Sequence, residues 1–223
     1  MTSRTKPTER RTDALSKERI VAAAIAILDS DGESALTFRA LAARLSTGSG
    51  AIYWHVADKN ELLAAAADDV VARVMTGVVA GGTPREAIRA IALGIFDAID
   101  THPWVGAQLY REPWQPATLQ ISEGIGGRLL ALGVPERALF DCWSALANYI
   151  LGVAVQNAAN ARLAPPETDR AAFLDAVAAR WAQLDPEKYP FVRKVAAQLR
   201  GHDDREQFLA GIDLILAGIA TVR

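Results

Sequence analysis

The segment Tyr53-Trp54-His55 places three large side chains next to one another. Successive residues of an α-helix point about 100° apart, so these three side chains cannot all face one core. Ile52 and Val56, four residues apart, take the buried face instead. Tyr53 and His55 must then project outward, whereas packing against the following helix is the expected state of Trp54.

The outward groups suit contacts with DNA. The phenol of Tyr53, the imidazole of His55 and the ammonium of Lys59 can donate hydrogen bonds to phosphate oxygens, and apolar ring edges can meet thymine methyl groups. Ser49 and Gly50 come just before them and are small. The segment therefore predicts a DNA-recognition helix that its large side chains position on the phosphate backbone.

Histidines near acidic residues offer a second kind of chemistry, that of an enzyme. His102 and His202 lie near acids such as Asp97, Asp100 and Asp203 in the sequence. No nucleophile motif, phosphate-binding loop or metal-ligand spacing accompanies these residues. His202 lies in a polar stretch and is expected to be solvated. We therefore expect no catalytic residues.

Composition favours a helical protein of the cytoplasm. Hydrophobic residues make up 51% of the 223 residues, mainly alanine and leucine with few β-branched runs. The single cysteine, Cys142, excludes an internal disulfide and suits a reducing compartment. No signal peptide is expected, and the apolar stretches are interrupted before the ~20 residues that a membrane span needs.

The charge is distributed unevenly along the chain. The net charge is −2, but residues 1–60 carry nine Lys and Arg against seven Asp and Glu. Residues 1–14 are polar and basic and predict a disordered arm. A basic end on an acidic body fits a module that meets phosphates, although a solvated tail explains the charge equally well.

Helix signals then divide the rest of the chain. Ser16 is a predicted N-cap, Gly32 ends the first helix, Thr37 caps a short second helix, and a third is expected at about 51–56. Capping boxes start two further helices, at 58–61 and 83–86. Later helices are expected at 116–132, from Pro135 to about 161, from the cap Thr168 through 183, at 190–200 and at 204–221.

No segment alternates with period two for long enough to predict a strand. We expect an all-α protein of nine or ten helices. Its predicted domains are a helix-turn-helix DNA-binding domain at 15–62 and a larger helical domain for ligand binding and dimerisation at 63–223.

The stretch from Leu36 to Leu45 and the motif Tyr53-Trp54-His55-Val56-Ala57-Asp58-Lys59, followed by Leu62-Leu63, resemble the TetR family of bacterial repressors. That resemblance implies DNA contacts, mostly to the backbone, from the matching positions. With Gly50 and Trp54, the predicted DNA-binding residues are Thr37, Arg39, Ser49, Gly50, Tyr53, Trp54, His55 and Lys59. The turn glycine usual in the family is Ser46 here, which is costly if the backbone there has positive φ.

The second half resembles the tetracycline-repressor branch of the family at residues 144–152 and 208–219. The resemblance implies a homodimer built from these two helices, which would present two recognition helices to a palindromic operator. Interior glycines at 152, 211 and 218 and the apolar face of Ile212, Ile215, Leu216 and Ile219 favour a close helix interface. An ordinary core face within one chain is the alternative.

A ligand pocket is expected in this second half. The positions at which the sequence departs from the family indicate what kind of ligand it binds and whether a metal takes part. The predicted lining residues are His102, Trp104, Gln108, Tyr110, Trp114, Trp143, Asn148, Gln156 and Asn157. Tyr110 stands where the resemblance implies a metal-binding histidine, and a phenol is a poor ligand for Mg²⁺. Ile91 stands near the place of a polar drug anchor. We therefore expect a hydrophobic or aromatic effector and neither metal nor cofactor; a constitutive repressor without an inducer is the alternative.

Overall fold

The computed structural model describes residues 15–78, 82–163 and 169–222. The predicted basic arm at 1–14 lies outside them, as do Gly81 and the predicted cap Thr168. The described residues are helical and contain no strand, as the sequence predicted. The eleven α-helices in this part of the chain are α1 (Lys17–Asp31), α2 (Phe38–Arg44), α3 (Ser49–Tyr53), α4 (Lys59–Gly77), α5 (Pro84–Thr101), α6 (Pro103–Leu109), α7 (Pro116–Ala131), α8 (Glu136–Leu163), α9 (Arg170–Ala182), α10 (Pro190–Val195) and α11 (Asp204–Ile219).

Local capping signals explain where several helices begin. Ser16 Oγ accepts the Arg19 N–H at 3.3 Å. The second predicted capping box is complete, since the Glu86 N–H donates to Thr83 Oγ1 and the Thr83 N–H donates to the Glu86 carboxylate. Helix α9 differs from the prediction, because Asp169 caps it by accepting the N–H groups of its second and third residues, Ala171 and Ala172.

The described chain forms two compact units. One contains residues 15–77 together with His102–Ile121, and the other contains Val78–Thr101 and Ser122–Arg223. The first unit thus includes all of α4 and also α6. The predicted domain boundary lies between residues 62 and 63, inside α4, whereas the compact units divide after Gly77. The functional domain boundary stays a prediction.

In the first unit, α1 packs on α4, α2 packs on α3, and α6 lies against both α4 and α1. The predicted core face of α1 is buried at Ile20, Ala24, Ile27 and Leu28. Ile52 is fully buried from α3. Burial of these side chains holds short helices that would be marginal in isolation.

In the second unit, α8 packs on α5, and α11 packs on both. Isoleucines at 88, 91, 95 and 99 on α5 are buried, as their helical spacing predicted. Phe208 of α11 stacks between Phe96 of α5 and Tyr149 of α8, with ring centroids 4.6 and 5.6 Å away. This aromatic stack joins the three helices.

The interior glycines have different explanations. A Cβ on Gly211 would lie 1.9 Å from the Tyr149 hydroxyl oxygen, so this glycine accommodates a contact within one chain. Ile212, Leu216 and Ile219 are likewise buried within the chain. The expectation that these side chains form a dimer face is therefore wrong, and the alternative of an intrachain core face is correct for them.

Helix α8 also corrects the expectation that no apolar stretch is long enough to cross a membrane. Residues Glu136–Asn160 meet that requirement in length and composition, with a mean hydropathy of 1.5. The helix belongs to the packed core of the second unit, yet only 28% of its most apolar window is buried. A large part of an apolar helix therefore faces outward in the single chain.

Ser46 has the positive φ that its place in the turn suggested. Its φ is 52°, in the left-handed region that residues other than glycine disfavour.

We expect Ser46→Gly to raise the free energy of unfolding by about 1 kcal/mol at most. The substitution relieves backbone strain in the folded state, but it also gives the unfolded chain more conformational freedom, which offsets part of the gain. Chemical denaturation measures this. Ser34→Gly, at a residue without positive φ, is the control and should not stabilise; an equal gain there would contradict the explanation.

Candidate DNA interface and effector residues

Helices α2 and α3 form the turn at which the predicted recognition residues lie. Thr37 Oγ1 caps α2 by accepting the Ala40 N–H at 3.1 Å, and its own hydroxyl proton remains available. Helix α3 begins at Ser49, two residues earlier than predicted, and ends at Tyr53. Ser49 and Gly50 therefore form the first turn of the recognition helix, where backbone N–H groups are free to meet an anion.

Tyr53 is held in place by an aromatic neighbour that sequence reasoning gave no role. Its ring lies parallel to that of Phe38 at a centroid distance of 4.3 Å, with an interplanar angle of 4°. The side chain is nevertheless 56% exposed. The stack fixes the direction of the phenol while leaving it accessible, as the helical spacing predicted.

Trp54 is 90% exposed, so the expectation that it packs against the next helix is wrong. It ends the recognition helix as a bare indole ring. His55 beside it is half-buried, and Val56 takes the buried position. The exposed indole presents both an apolar ring and an N–H donor to a partner.

Arg39 is exposed, and no hydrogen bond or ion pair ties it to another described residue. Lys59, in contrast, is half-buried and donates from Nζ to the Glu33 carbonyl oxygen at 2.6 Å. An ammonium group has three donors, so two remain on Lys59 for a phosphate. Lys59 thus makes a structural contact and keeps donors for a phosphate, and its role in DNA binding stays a prediction.

Glu61 joins the start of α4 to its surroundings. Its N–H donates to Asp58 Oδ1 at 2.8 Å, as in the predicted capping box, but its carboxylate accepts the N–H of Ala57. The same carboxylate pairs with Lys17 of α1 at 2.8 Å. The Ala57 hydrogen bond, followed by Lys17, lowers the pKa of Glu61. These contacts fix the segment that follows the recognition helix.

The predicted effector residues belong to both compact units. His102 and Trp104, in the first unit, have protein partners, because His102 Nδ1 and Trp104 Nε1 each lie 2.8 Å from Asp29 Oδ1. Gln108 is 2% exposed and accepts from Arg111 at 3.4 Å. Tyr110 and Trp114 are mostly exposed.

The residues on α8 do not form the polar core that the sequence suggested. Asn148 and Gln156 are exposed in the single chain, and Asn148 Nδ2 donates to Ser144 Oγ at 3.0 Å. Asn157 Nδ2 donates to Asp100 Oδ1 at 3.2 Å. The expectation that Asn148 and Gln156 are core groups oriented toward a ligand is therefore wrong.

Two buried polar atoms lack a hydrogen-bond partner among the described residues. They are the indole nitrogen of Trp143, which the sequence placed in the pocket, and the side-chain oxygen of Gln115, which it missed. Leaving such a group unpaired costs about 1–3 kcal/mol. The only sign of Gln115 in the sequence is that it is a polar residue just before α7, which does not distinguish it from an exposed loop residue.

Most of the acidic residues and one of the histidines that were considered as a possible enzyme site lie close together in the structure. Asp97, Asp100, His202 and Asp203 line one open cleft of about 440 Å³ in the second unit. His202 is not simply solvated, because its Nε2 lies 3.1 Å from Asp204 Oδ1. Arg205 donates two hydrogen bonds of 3.1 Å to Asp97. The described residues contain no group of three or more ligands arranged for a metal.

Comparison with known proteins agrees with both halves of the chain. Residues 20–66 match the family model for bacterial regulatory proteins of the tetR family, and residues 80–223 match the tetracyclin repressor-like C-terminal domain. An HTH-type transcriptional regulator of Saccharopolyspora erythraea is 34% identical over 151 residues, which are 67% of this chain and 61% of that protein. The chain thus aligns with less than two thirds of that relative's length.

Solved structures share the fold. The transcriptional regulator SCO7222, a TetR protein from Streptomyces coelicolor, is 53% identical with a TM-score of 0.87, over 94% of this chain and 99% of its own. The S. coelicolor TetR family protein ActR, in complex with actinorhodin, is 24% identical with a TM-score of 0.74, over 93% and 99% of the two chains. With both halves matched by family models, the chain belongs to the TetR family of transcriptional regulators.

Proposed function

We propose that this regulator binds a palindromic operator in the bacterial cytoplasm through the exposed face of α2 and α3. The observation that carries the proposal is the stacked and exposed Tyr53, since it is fixed before DNA arrives and so loses little entropy on binding. The proposed contact residues are Thr37, Arg39, Ser49, Gly50, Tyr53, Trp54, His55 and Lys59.

These residues divide the work. Tyr53, His55 and Lys59 position the recognition helix on phosphates, where hydrogen bonds carry no sequence information. Arg39 reads base edges, because its planar fork matches guanine and it has no partner among the described residues. Trp54 offers its apolar ring to the DNA surface.

We propose further that the protein is a homodimer through α8 and α11. Both helices leave small or apolar residues uncovered in the single chain, and Leu214 on α11 is 76% exposed. Gly152 of α8 and Gly218 of α11 have no atom within 4 Å of an added Cβ. A glycine inside a helix lowers the stability of that helix by about 1 kcal/mol relative to alanine. Packing against a second chain that approaches closely at these positions would offset that loss.

The third part of the proposal is release from the operator by a hydrophobic or aromatic effector that needs no metal. It is supported by the buried, unpaired Trp143 nitrogen in the second unit, which a polar group of an effector could satisfy. ActR, of the same fold, is found in complex with actinorhodin, an observation about that protein. Release requires that the effector bind the two conformations with different affinities. A constitutive repressor is the alternative.

The DNA proposal is tested with alanine variants. We expect Tyr53→Ala to weaken binding to operator and to unrelated duplexes about equally, since phosphate contacts are lost. Arg39→Ala should reduce discrimination against operators with one changed base pair by about 1–3 kcal/mol. Fluorescence anisotropy with labelled duplexes measures both. Arg73→Ala, which removes an arginine paired with Asp69 on α4, is the control. A changed base preference with unchanged affinity in Tyr53→Ala would contradict this division.

The dimer proposal is tested by placing a charge on its face. Leu214→Glu should convert the protein to a monomer in light scattering, because a buried carboxylate without a partner is strongly unfavourable. Phe191→Glu on α10, at a residue that is 72% exposed, should stay dimeric. A wild-type monomer that binds lipid vesicles would instead assign the apolar face of α8 to a membrane.

The effector proposal is tested with actinorhodin as the first probe, followed by aromatic compounds and host metabolites. We expect an active compound to release labelled operator, and Trp143→Phe to raise the concentration needed at least several-fold because the indole donor is lost. Trp181→Phe on α9 is the matched control. If no compound releases the operator, the protein is a constitutive repressor.

A further inference from the structure

A cavity of about 200 Å³ lies in the second unit, between the start of α5, the turn from α7 to α8 and the end of α11. Its floor is formed by Val134, Leu216 and Ile219, which are all buried. Leu132 and Val222 also line it and are 42% and 38% exposed, so they form a rim that solvent reaches. The described lining contains none of the residues proposed above for DNA or effector binding.

Backbone hydrogen bonds close the two helix ends beside the cavity. After α7, the Gly133 N–H donates to the Leu130 carbonyl oxygen at 2.9 Å, with a φ of 78° that glycine adopts readily. After α11, the Val222 N–H donates to the Ile219 carbonyl oxygen at 3.1 Å. These bonds fix the turns that border the cavity, so its shape exists before a ligand arrives.

Arg85 is the one charged residue in the described lining, and its pairing is incomplete. It shares Asp213 with Arg89, so two guanidinium groups face a single carboxylate. Arg89 makes the closer contact, whereas Arg85 Nη2 lies 3.4 Å from Asp213 Oδ1 and 3.3 Å from the Asp213 carbonyl oxygen. The neighbouring acid, Glu86, is bound by Thr83 in the capping box. One positive charge is thus left over at the cavity.

The size and chemistry of the cavity limit what it can bind. An apolar cavity of roughly 150 Å³ holds benzene, so this one has room for a single aromatic ring or a short aliphatic chain with a small polar group. Burial of the ring or chain supplies affinity. The planar guanidinium of Arg85 matches a carboxylate, which accepts two parallel hydrogen bonds from it.

We propose that this cavity, which we call the Arg85 cavity, binds a small apolar monocarboxylate, with the carboxylate on Arg85 and the apolar part against the floor. The site is distinct from the proposed dimer face. At about 100° per residue, Leu216 and Ile219 point to the side of α11 opposite Leu214. Trp143, which supports the effector proposal, does not line the cavity. The proposal therefore goes beyond both and is tested without DNA.

Benzoate and hexanoate are the probes, and isothermal titration calorimetry of the full-length protein measures their binding. We expect saturable binding of both acids. Benzamide has the size of benzoate without its charge and should bind at least about tenfold more weakly, as loss of a hydrogen bond between charged groups predicts. Arg85→Gln should weaken benzoate binding by at least about tenfold and leave benzamide binding unchanged, whereas Arg85→Lys keeps the charge and should have a smaller effect.

Matched variants separate the cavity from other sites and from loss of folding. Arg200→Gln removes an arginine of the same unit, 3.6 Å from Asp175, and is the charge control. Ala220→Leu enlarges a side chain in the lining and should abolish binding of both acids. Benzoate should raise the melting temperature of the wild type but not of Ala220→Leu, because a ligand that binds only the folded state stabilises it. Circular dichroism confirms that each variant is folded.

The remaining outcomes overturn the proposal. Failure of the wild type to bind either acid would reject the site, and equal binding of benzamide and benzoate would reject the role of Arg85. Unchanged benzoate affinity in Arg85→Gln or Ala220→Leu, or an equal loss in Arg200→Gln, would place the acid elsewhere. If Trp143→Phe weakened benzoate binding as much as Arg85→Gln, the acid would belong to the proposed effector site instead.

Discussion

A helix of five residues cannot hold itself together in water, and the recognition helix α3 has only five. It exists because its neighbours bury one side of it. Ile52 is fully buried, Val56 just beyond the helix is 2% exposed, and the Tyr53 ring lies on Phe38 of α2. Packing therefore decides which surface we propose for DNA binding, since the side chains of α3 that are not buried must face outward.

Longer helices are also held by their neighbours, and in two places a single carboxylate on one helix accepts hydrogen bonds from two residues of another segment. Asp213 of α11 accepts from both Arg85 and Arg89 of α5, and the Arg89 hydrogen bond above all lowers the pKa of Asp213. In the other unit, Asp29 accepts from two donors on the α6 segment. Such shared acceptors cost desolvation once and serve two donors, so they fix orientation where apolar packing alone would allow sliding.

What the sequence predicted well was local. The caps at Ser16, Thr37 and Thr83 need only residues three positions away, so their signals are complete in the sequence. The motif around Tyr53 likewise identified the DNA-binding half and the family. Asp169 replaced a neighbouring cap because several consecutive residues could serve, and packing decides among them.

What the sequence missed depends on partners far along the chain. His102 and Trp104 were expected to face an effector, because their partner on α1 lies more than 70 residues away and leaves no spacing signal. Trp54 was expected to pack, since a large aromatic residue is usually buried, but its helix ends before a neighbour can cover it.

The dimer face shows a different limit. A helical apolar stripe records that something covers it and not which chain does so. On α11 the stripe of Ile212, Leu216 and Ile219 turns inward, and Gly211 makes room for Tyr149 of the same chain. The uncovered side carries Leu214, which is 76% exposed, and Gly218, where an added Cβ would meet no atom within 4 Å. A small residue lets two helices approach closely, so this uncovered face is the better candidate for the partner.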